Sequence, residues 1–155
     1  PRALGNRSIL MSPMGENNKD RLNHRVKHRE SFRPFAPAVL EERASEFFDI
    51  DTKSPYMLFI CDVKKEKRKF LPAITHIDGS ARLQTLTKER NGKFYDLVKQ
   101  FGEHSGIPIL LNTSFNVNGE PIVETPDNAI DCFANTDIDA LLIGENILIK
   151  KNIKL

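Results

Sequence analysis

The stretch from Ile107 to Pro121 constrains this chain more than any other. It begins as an apolar run, Ile107-Pro108-Ile109-Leu110-Leu111. It then breaks into Asn112-Thr113-Ser114-Phe115-Asn116-Val117-Asn118-Gly119-Glu120-Pro121. A short apolar run bounded by turn residues reads as a buried strand. Amide and hydroxyl side chains at its carboxyl end are then held on a rigid support. In open α/β sheets ligands bind at that end of a strand, and a few converging polar groups orient a ligand. The plainer reading is a polar loop whose Asn and Ser residues make local turns. What weighs against it is a set of arginines elsewhere in the chain with no obvious acidic partners.

The segments around this stretch alternate between strand and helix patterns. Ser8 to Met11 reads as a short strand after the Gly5-Asn6 turn. Asn17 or Asn18 can cap a short helix that runs to about Val26, with Leu22 and Val26 on one face. Pro34 and Pro37 hold the following segment out of helix and sheet, and Phe32 and Phe35 anchor it to the core. Glu41 to Phe48 reads as a helix. Tyr56 to Val63 reads as a strand buried on both faces. An exposed charged turn, Lys64 to Lys69, leads to a returning strand from Phe70 to Thr75. After the Asp78-Gly79 turn, Arg82 to Leu86 alternates as a half-buried strand, with Arg82 and Gln84 on one face. Asn91 to Gly106 is the clearest helix, with Phe94, Leu97, Val98 and Phe101 at helical spacing. Thr125-Pro126 starts another helix that runs to about Asn135, with Ala129, Ile130 and Phe133 inward. Asp139 to Ile143 and Ile147 to Ile149 close the chain as strands. The fold class is α/β (α+β) around a mixed sheet.

A chain of 155 residues suits one domain and is short for two. No apolar run approaches the ~20 residues of a membrane helix. Cys61 and Cys132 sit in apolar patterns and read as reduced, buried thiols, which fits a cytoplasmic setting. Residues 1–33 hold eight Lys and Arg against three Asp and Glu, a net of +5, which leaves −3 for the rest of a chain whose total is +2. A basic quarter on a near-neutral domain points to an anionic partner, either phosphate ligands or nucleic acid.

No Walker loop and no dinucleotide fingerprint are present. No Cys/His cluster has zinc spacing, and Ser114 lacks a G-x-S-x-G elbow. Arg2, Arg7, Arg33, Arg82, the region of Lys27, Asn112, Ser114 and Asn116 remain, with His76 beside a turn. That is an anion site without a nucleophile. Such a site acts by positioning charged reactants and neutralising charge as it develops, which suits phosphoryl and adenylyl transfer. Magnesium normally accompanies ATP, and the sequence names no protein ligand for it.

Four motifs follow one another in order between Pro1 and Asn116. They are Pro1-Arg2-Ala3-Leu4-Gly5-Asn6-Arg7-Ser8-Ile9-Leu10, Phe32-Arg33-Pro34-Phe35-Ala36-Pro37, Thr75-His76-Ile77-Asp78-Gly79-Ser80-Ala81-Arg82-Leu83-Gln84 and Leu111-Asn112-Thr113-Ser114-Phe115-Asn116. Together they resemble the C-terminal domain of the O-carbamoyltransferases, a family that includes the nodulation-factor carbamoyltransferase and enzymes that carbamoylate antibiotics. The resemblance implies a YrdC-like fold, an open twisted mixed sheet flanked by helices with a positively charged cavity. It implies binding of ATP and carbamoyl phosphate and formation of carbamoyladenylate. A separate N-terminal domain, resembling sugar-kinase-type ATPases and binding iron, would then pass the carbamoyl group to an acceptor hydroxyl. Carried over by motif, Arg2, Arg33, Arg82, Asn112 and Ser114 would hold carbamoyl phosphate and the adenylate, with Lys27 and its neighbours along the ATP phosphates. Arg7, His76 and Asn116 are secondary candidates. Residues 1–155 would be an excised domain whose partner is the N-terminal domain of the same polypeptide, so the activating half-reaction is the most expected of it.

Two rival readings predict different surfaces. An RNA-binding module requires exposed aromatics among basic residues, and Phe32 and Phe35 are the candidates seen in sequence. A non-catalytic interaction domain predicts no small-molecule binding. Neither membrane nor nucleic acid is the expected partner.

Overall fold

The computed structural model describes residues 4–28, 30 and 35–151. Its centre is a four-stranded mixed sheet in the order β1 (Ser8–Met11), β7 (Ile109–Ser114), β2 (Ala36–Leu40), β6 (Gln84–Leu86). β7 runs antiparallel to both neighbours, and β2 and β6 are parallel. A second sheet joins β3 (Phe48–Asp49), β4 (Cys61–Val63) and β5 (Ser80–Ala81). β8 (Ala140–Ile143) and β9 (Asn146–Ile149) form a hairpin. The sheets are open, the helices flank them, and the expected mixed α/β class holds.

Strand alternation splits the core between the two faces of the main sheet. Ile9, Val39, Ile109 and Leu111 face a large cluster with Leu22, Val26, Phe35 and Phe133. Ala38, Leu40, Leu86 and Leu110 face the opposite way, against Phe94 and Val98 of α2 (Lys88–Ser105). Thr87 caps α2 by accepting from the Arg90 N–H, and Gly106 ends it in the left-handed conformation at φ 77°. The helix starts earlier than its pattern indicated and is kinked at Gly92. α3 (Pro126–Ala134) has the expected Thr125 cap with proline in its first turn.

Several sequence expectations are overturned. Tyr56 to Ile60 is not a buried strand: Tyr56 and Leu58 are 69% and 72% exposed, and pairing begins only at Cys61. Met57 sits at φ 58°, which breaks extended backbone there. Residues 70–75 form turns rather than a returning strand, and β5 supplies the partner of β4. Glu41–Glu46 is a 3-10 helix, followed directly by β3. Pro37 lies inside β2, not outside the sheet. Parallel pairing with β6 starts only at Ala38, so the missing proline N–H is tolerated on that side. The short helix is α1 (Asn18–Leu22), which passes into a π-helical turn at Asn23–Lys27. Leu22 and Val26 are buried as expected, but Asn17 makes no side-chain cap. Leu97 and Ile130 are largely exposed instead of inward. Phe35 is buried, and Phe32 lies outside the described residues.

Candidate functional site

The face of β7 that packs Leu110 under α2 turns polar toward the strand's end, because Leu110, Asn112 and Ser114 are two residues apart. Register places Ser8 opposite Ser114, Ala36 opposite Asn112, and Gln84 opposite Ala38. The carboxyl end of β7 therefore meets the amino ends of β1, β2 and β6. Sequence-distant polar residues gather at this one edge of the sheet.

Asn112 is 2% exposed and Gln84 is 5% exposed. The Asn112 Nδ2 donates to Gln84 Oε1 at 2.7 Å. The Asn112 Oδ1 is buried and has no hydrogen-bond partner among the described residues. Such an orphaned acceptor costs about 1–3 kcal/mol until a donor arrives. Gln84 was visible in sequence only as a residue on the same face as Arg82, and nothing local linked it to Asn112.

Ser114 Oγ donates to Asn116 Oδ1 at 2.6 Å. Lys27 is buried at the end of the π-helical turn, and the chain reverses immediately after it at His28, φ 47°. Its ammonium donates to Ser114 O at 2.5 Å, Asn116 O at 2.9 Å and Asn116 Oδ1 at 2.9 Å. Asn116 Nδ2 in turn donates to Val117 O at 3.1 Å and Glu120 O at 3.0 Å. Lys27 and Asn116 thus fix the exit from β7, and Lys27 brings a positive charge to it.

Arg82 is exposed, two residues before Gln84, and makes no hydrogen bond or ion pair with the described residues. His76 Nδ1 lies 3.1 Å from Ser80 Oγ. Burial lowers the His76 pKa, and the Arg82 charge lowers it further against the opposing pull of Asp78. The Asp78 carboxyl is held below its usual range by hydrogen bonds from Ser80, whose N–H donates to Asp78 Oδ1 at 2.9 Å. Ser80 is itself buried, and its contact with His76 is a local bond across the turn.

Arg7 does different work. Its Nη1 donates to Val123 O at 2.9 Å, and its carbonyl accepts from the Phe115 N–H at 2.9 Å. It ties down the loop beyond β7. Arg2 and Arg33 lie outside the described residues. Both cysteines are free and half-buried, and burial pushes the Cys61 thiol up to about 11.

Two cavities lie elsewhere. One of about 310 Å³ is lined by Asn6, Leu10, Phe94, Phe115 and Leu141 among others. Another of about 380 Å³ includes His28, Val117, Cys132 and Thr136. Neither contains Arg82, Asn112 or Ser114. The described residues hold no group of three or more His, Cys, Asp or Glu side chains that could bind a metal, and none of their helices is long and apolar enough to cross a membrane. The polar edge is thus a set of donors, acceptors and cations.

A family described as the carbamoyltransferase C-terminus matches residues 1–151. The nodulation protein NolNO of Sinorhizobium fredii is 51% identical over 154 residues, which cover 97% of this chain and 22% of that protein. The nodulation protein NolO of Bradyrhizobium diazoefficiens is 50% identical, over 97% of this chain and 28% of that protein. An uncharacterized protein of Methanocaldococcus jannaschii is 44% identical, over 99% of this chain and 25% of its own length. The chain thus spans about a quarter of the length of these relatives, and it belongs to the carbamoyltransferase C-terminus family.

Proposed function

We propose that the polar edge formed by β7, β2 and β6 binds carbamoyl phosphate and ATP, and that the chain activates the carbamoyl group as carbamoyladenylate: water releases inorganic phosphate from carbamoyl phosphate, and the resulting carbamate oxygen displaces pyrophosphate from the α-phosphorus of ATP. The observation that carries this reading is an orphaned, buried acceptor, Asn112 Oδ1, whose amide is held by Gln84, two residues after an exposed Arg82 that makes no hydrogen bond or ion pair with the described residues. Carbamoyl phosphate offers matching chemistry: an amino group that donates and a dianion that takes an arginine fork. Family membership supports carbamoyl transfer in general.

In this reading Arg82 and Arg33 take phosphate oxygens, and Arg2 adds positive charge beside them. Asn112 accepts from the carbamoyl amino group, and Ser114 reads the carbamoyl oxygen by turning its one hydroxyl proton from Asn116 Oδ1 to the ligand. Lys27 supplies a fixed charge beneath Ser114. Both substrates are polyanions, so lowering their mutual repulsion is the main catalytic demand. Magnesium accompanying ATP would be held mainly by the phosphate oxygens and water, with at most one or two carboxylates from the protein. The rest of a longer polypeptide, iron-binding in this reading, would transfer the carbamoyl group to a hydroxyl acceptor.

Calorimetric titration with ATP, with carbamoyl phosphate and with both plus magnesium tests this. Carbamoyl phosphate binding that is lost in Arg82→Ala is the expected result. Equal binding by Arg82→Ala and Arg33→Ala removes both arginines from the site.

One observation favours a second reading. Tyr56, Phe59 and Phe70 are exposed, and the Lys69 ammonium lies 4.8 Å from the Phe70 ring centre. These aromatics, not Phe35, are the ones a single-stranded RNA would stack on. RNA binding that falls steeply with salt and is lost in Phe70→Ala, without carbamoyl phosphate binding, would favour it.

A further inference from the structure

A primary amide has a donor end and an acceptor end of nearly the same shape, so its neighbours decide which end meets a ligand. Asn112 and Gln84 are both buried, and they lie on strands that flank β2 on either side. They reach each other across β2 because the residues opposite them there are Ala36 and Ala38, with methyl side chains. Gln84 Oε1 accepts the Asn112 Nδ2 hydrogen at 2.7 Å. That contact holds the donor end of Asn112 against β6 and leaves Oδ1 as the buried acceptor without a partner among the described residues.

We propose that Gln84 is a positioning residue: by engaging Asn112 Nδ2 it presents Asn112 Oδ1 to a ligand N–H, so the site prefers a carbamoyl group to an acyl group that lacks one. This rests on the binding reading above and adds the source of its selectivity. Carbamoyl phosphate places two N–H donors where acetyl phosphate, of nearly the same size and charge, has a methyl group. A buried acceptor built to receive an N–H is left unpaired by the methyl, which is how such sites discriminate.

The test compares calorimetric affinities for carbamoyl phosphate and acetyl phosphate in the unsubstituted chain, Gln84→Met and Gln84→Glu, with thermal melting as the check of folding. The unsubstituted chain is expected to prefer carbamoyl phosphate. In Gln84→Met that preference drops about tenfold or more, while phosphate-driven affinity for acetyl phosphate is kept. Gln84→Glu retains the preference, because an ionised carboxylate accepts from Asn112 Nδ2 as Gln84 does. An undiminished preference in Gln84→Met overturns the assignment. If Gln84→Met does not fold, loss of preference in folded Gln84→Glu at a pH high enough to ionise the new carboxyl overturns it, since the accepting oxygen is then present and the preference is not. Equal binding of both phosphates by the unsubstituted chain overturns the selectivity alone. Binding of neither overturns the underlying reading as well.

Discussion

Gly79→Ala probes the turn that leads into Arg82, and its cost follows from the structure. Gly79 sits at φ +88°, where an L side chain is strained by about 1–2 kcal/mol. An added Cβ would overlap the guanidinium of Arg68. That group is the mobile end of a side chain, so it can swing away. In doing so it gives up the bond from Arg68 Nε to Val63 O at 2.9 Å. The side chain is about one-third exposed, and its pairing with Asp62 at 3.7 Å is loose, so about 1 kcal/mol is at stake. The sum is about 2–3 kcal/mol, which lowers the melting temperature by about 4–10 °C in a domain of this size. Arg68→Ala alone should cost about 1 kcal/mol. The double variant should then be no less stable than Gly79→Ala alone, because the overlap and the lost bond are the same event. Denaturant unfolding of all four chains measures the cycle. Strict additivity, or a Gly79→Ala cost below about 0.5 kcal/mol, would refute the reasoning.

Other consequences follow from the same contacts. Asn116 accepts from Lys27 and Ser114 and donates to two loop carbonyls, so Asn116→Ala should cost about 2–4 kcal/mol in denaturant unfolding. Ser114→Ala should cost under about 1 kcal/mol, since it removes one donor, yet it should weaken carbamoyl phosphate binding in calorimetry. Burial holds the folded-state His76 pKa below its ordinary 6.5. The neutral ring is therefore favoured on folding, and its stabilisation is present above that value and lost as pH falls through the depressed pKa. His76→Gln should flatten this part of the profile, measured as unfolding stability between about pH 7.5 and about pH 5.

Three strands of the central sheet were legible because β1, β6 and β7 carry their own signals, whereas Pro37 hid β2. The apolar run into Asn112 marks β7, which continues through the polar residues to Ser114, and Thr125-Pro126 marks the start of α3. Tyr56 to Ile60 failed because apolar composition alone does not say that a segment is buried. The positive φ at Met57 takes that segment out of extended backbone. Site legibility divides along the same line. Lys27 meets Ser114 at the end of β7, and Asn112 lies two residues before Ser114 on the same strand. The Gln84 contact was hidden because it spans 28 residues of sequence and depends on the register of β2 against both neighbours. Arg7 reads as an anion ligand by charge, and one of its guanidinium nitrogens binds the Val123 carbonyl of the loop after β7. Arg33 precedes Ala36, the strand partner of Asn112, but lies outside the described residues.

Side-chain amide NMR of the chain, with nitrogen-labelled asparagine, tests the site's location most directly. Asn112 and Asn116 report on the polar edge, Asn6 on the cavity beneath α2, and Asn128 and Asn135 on the cavity beside α3. Carbamoyl phosphate is predicted to shift the Asn112 side-chain amide and to leave Asn6, Asn128 and Asn135 unmoved. Shifts confined to Asn6 or to the α3 cavity, with Asn112 unchanged at saturation, would contradict the placement of the site.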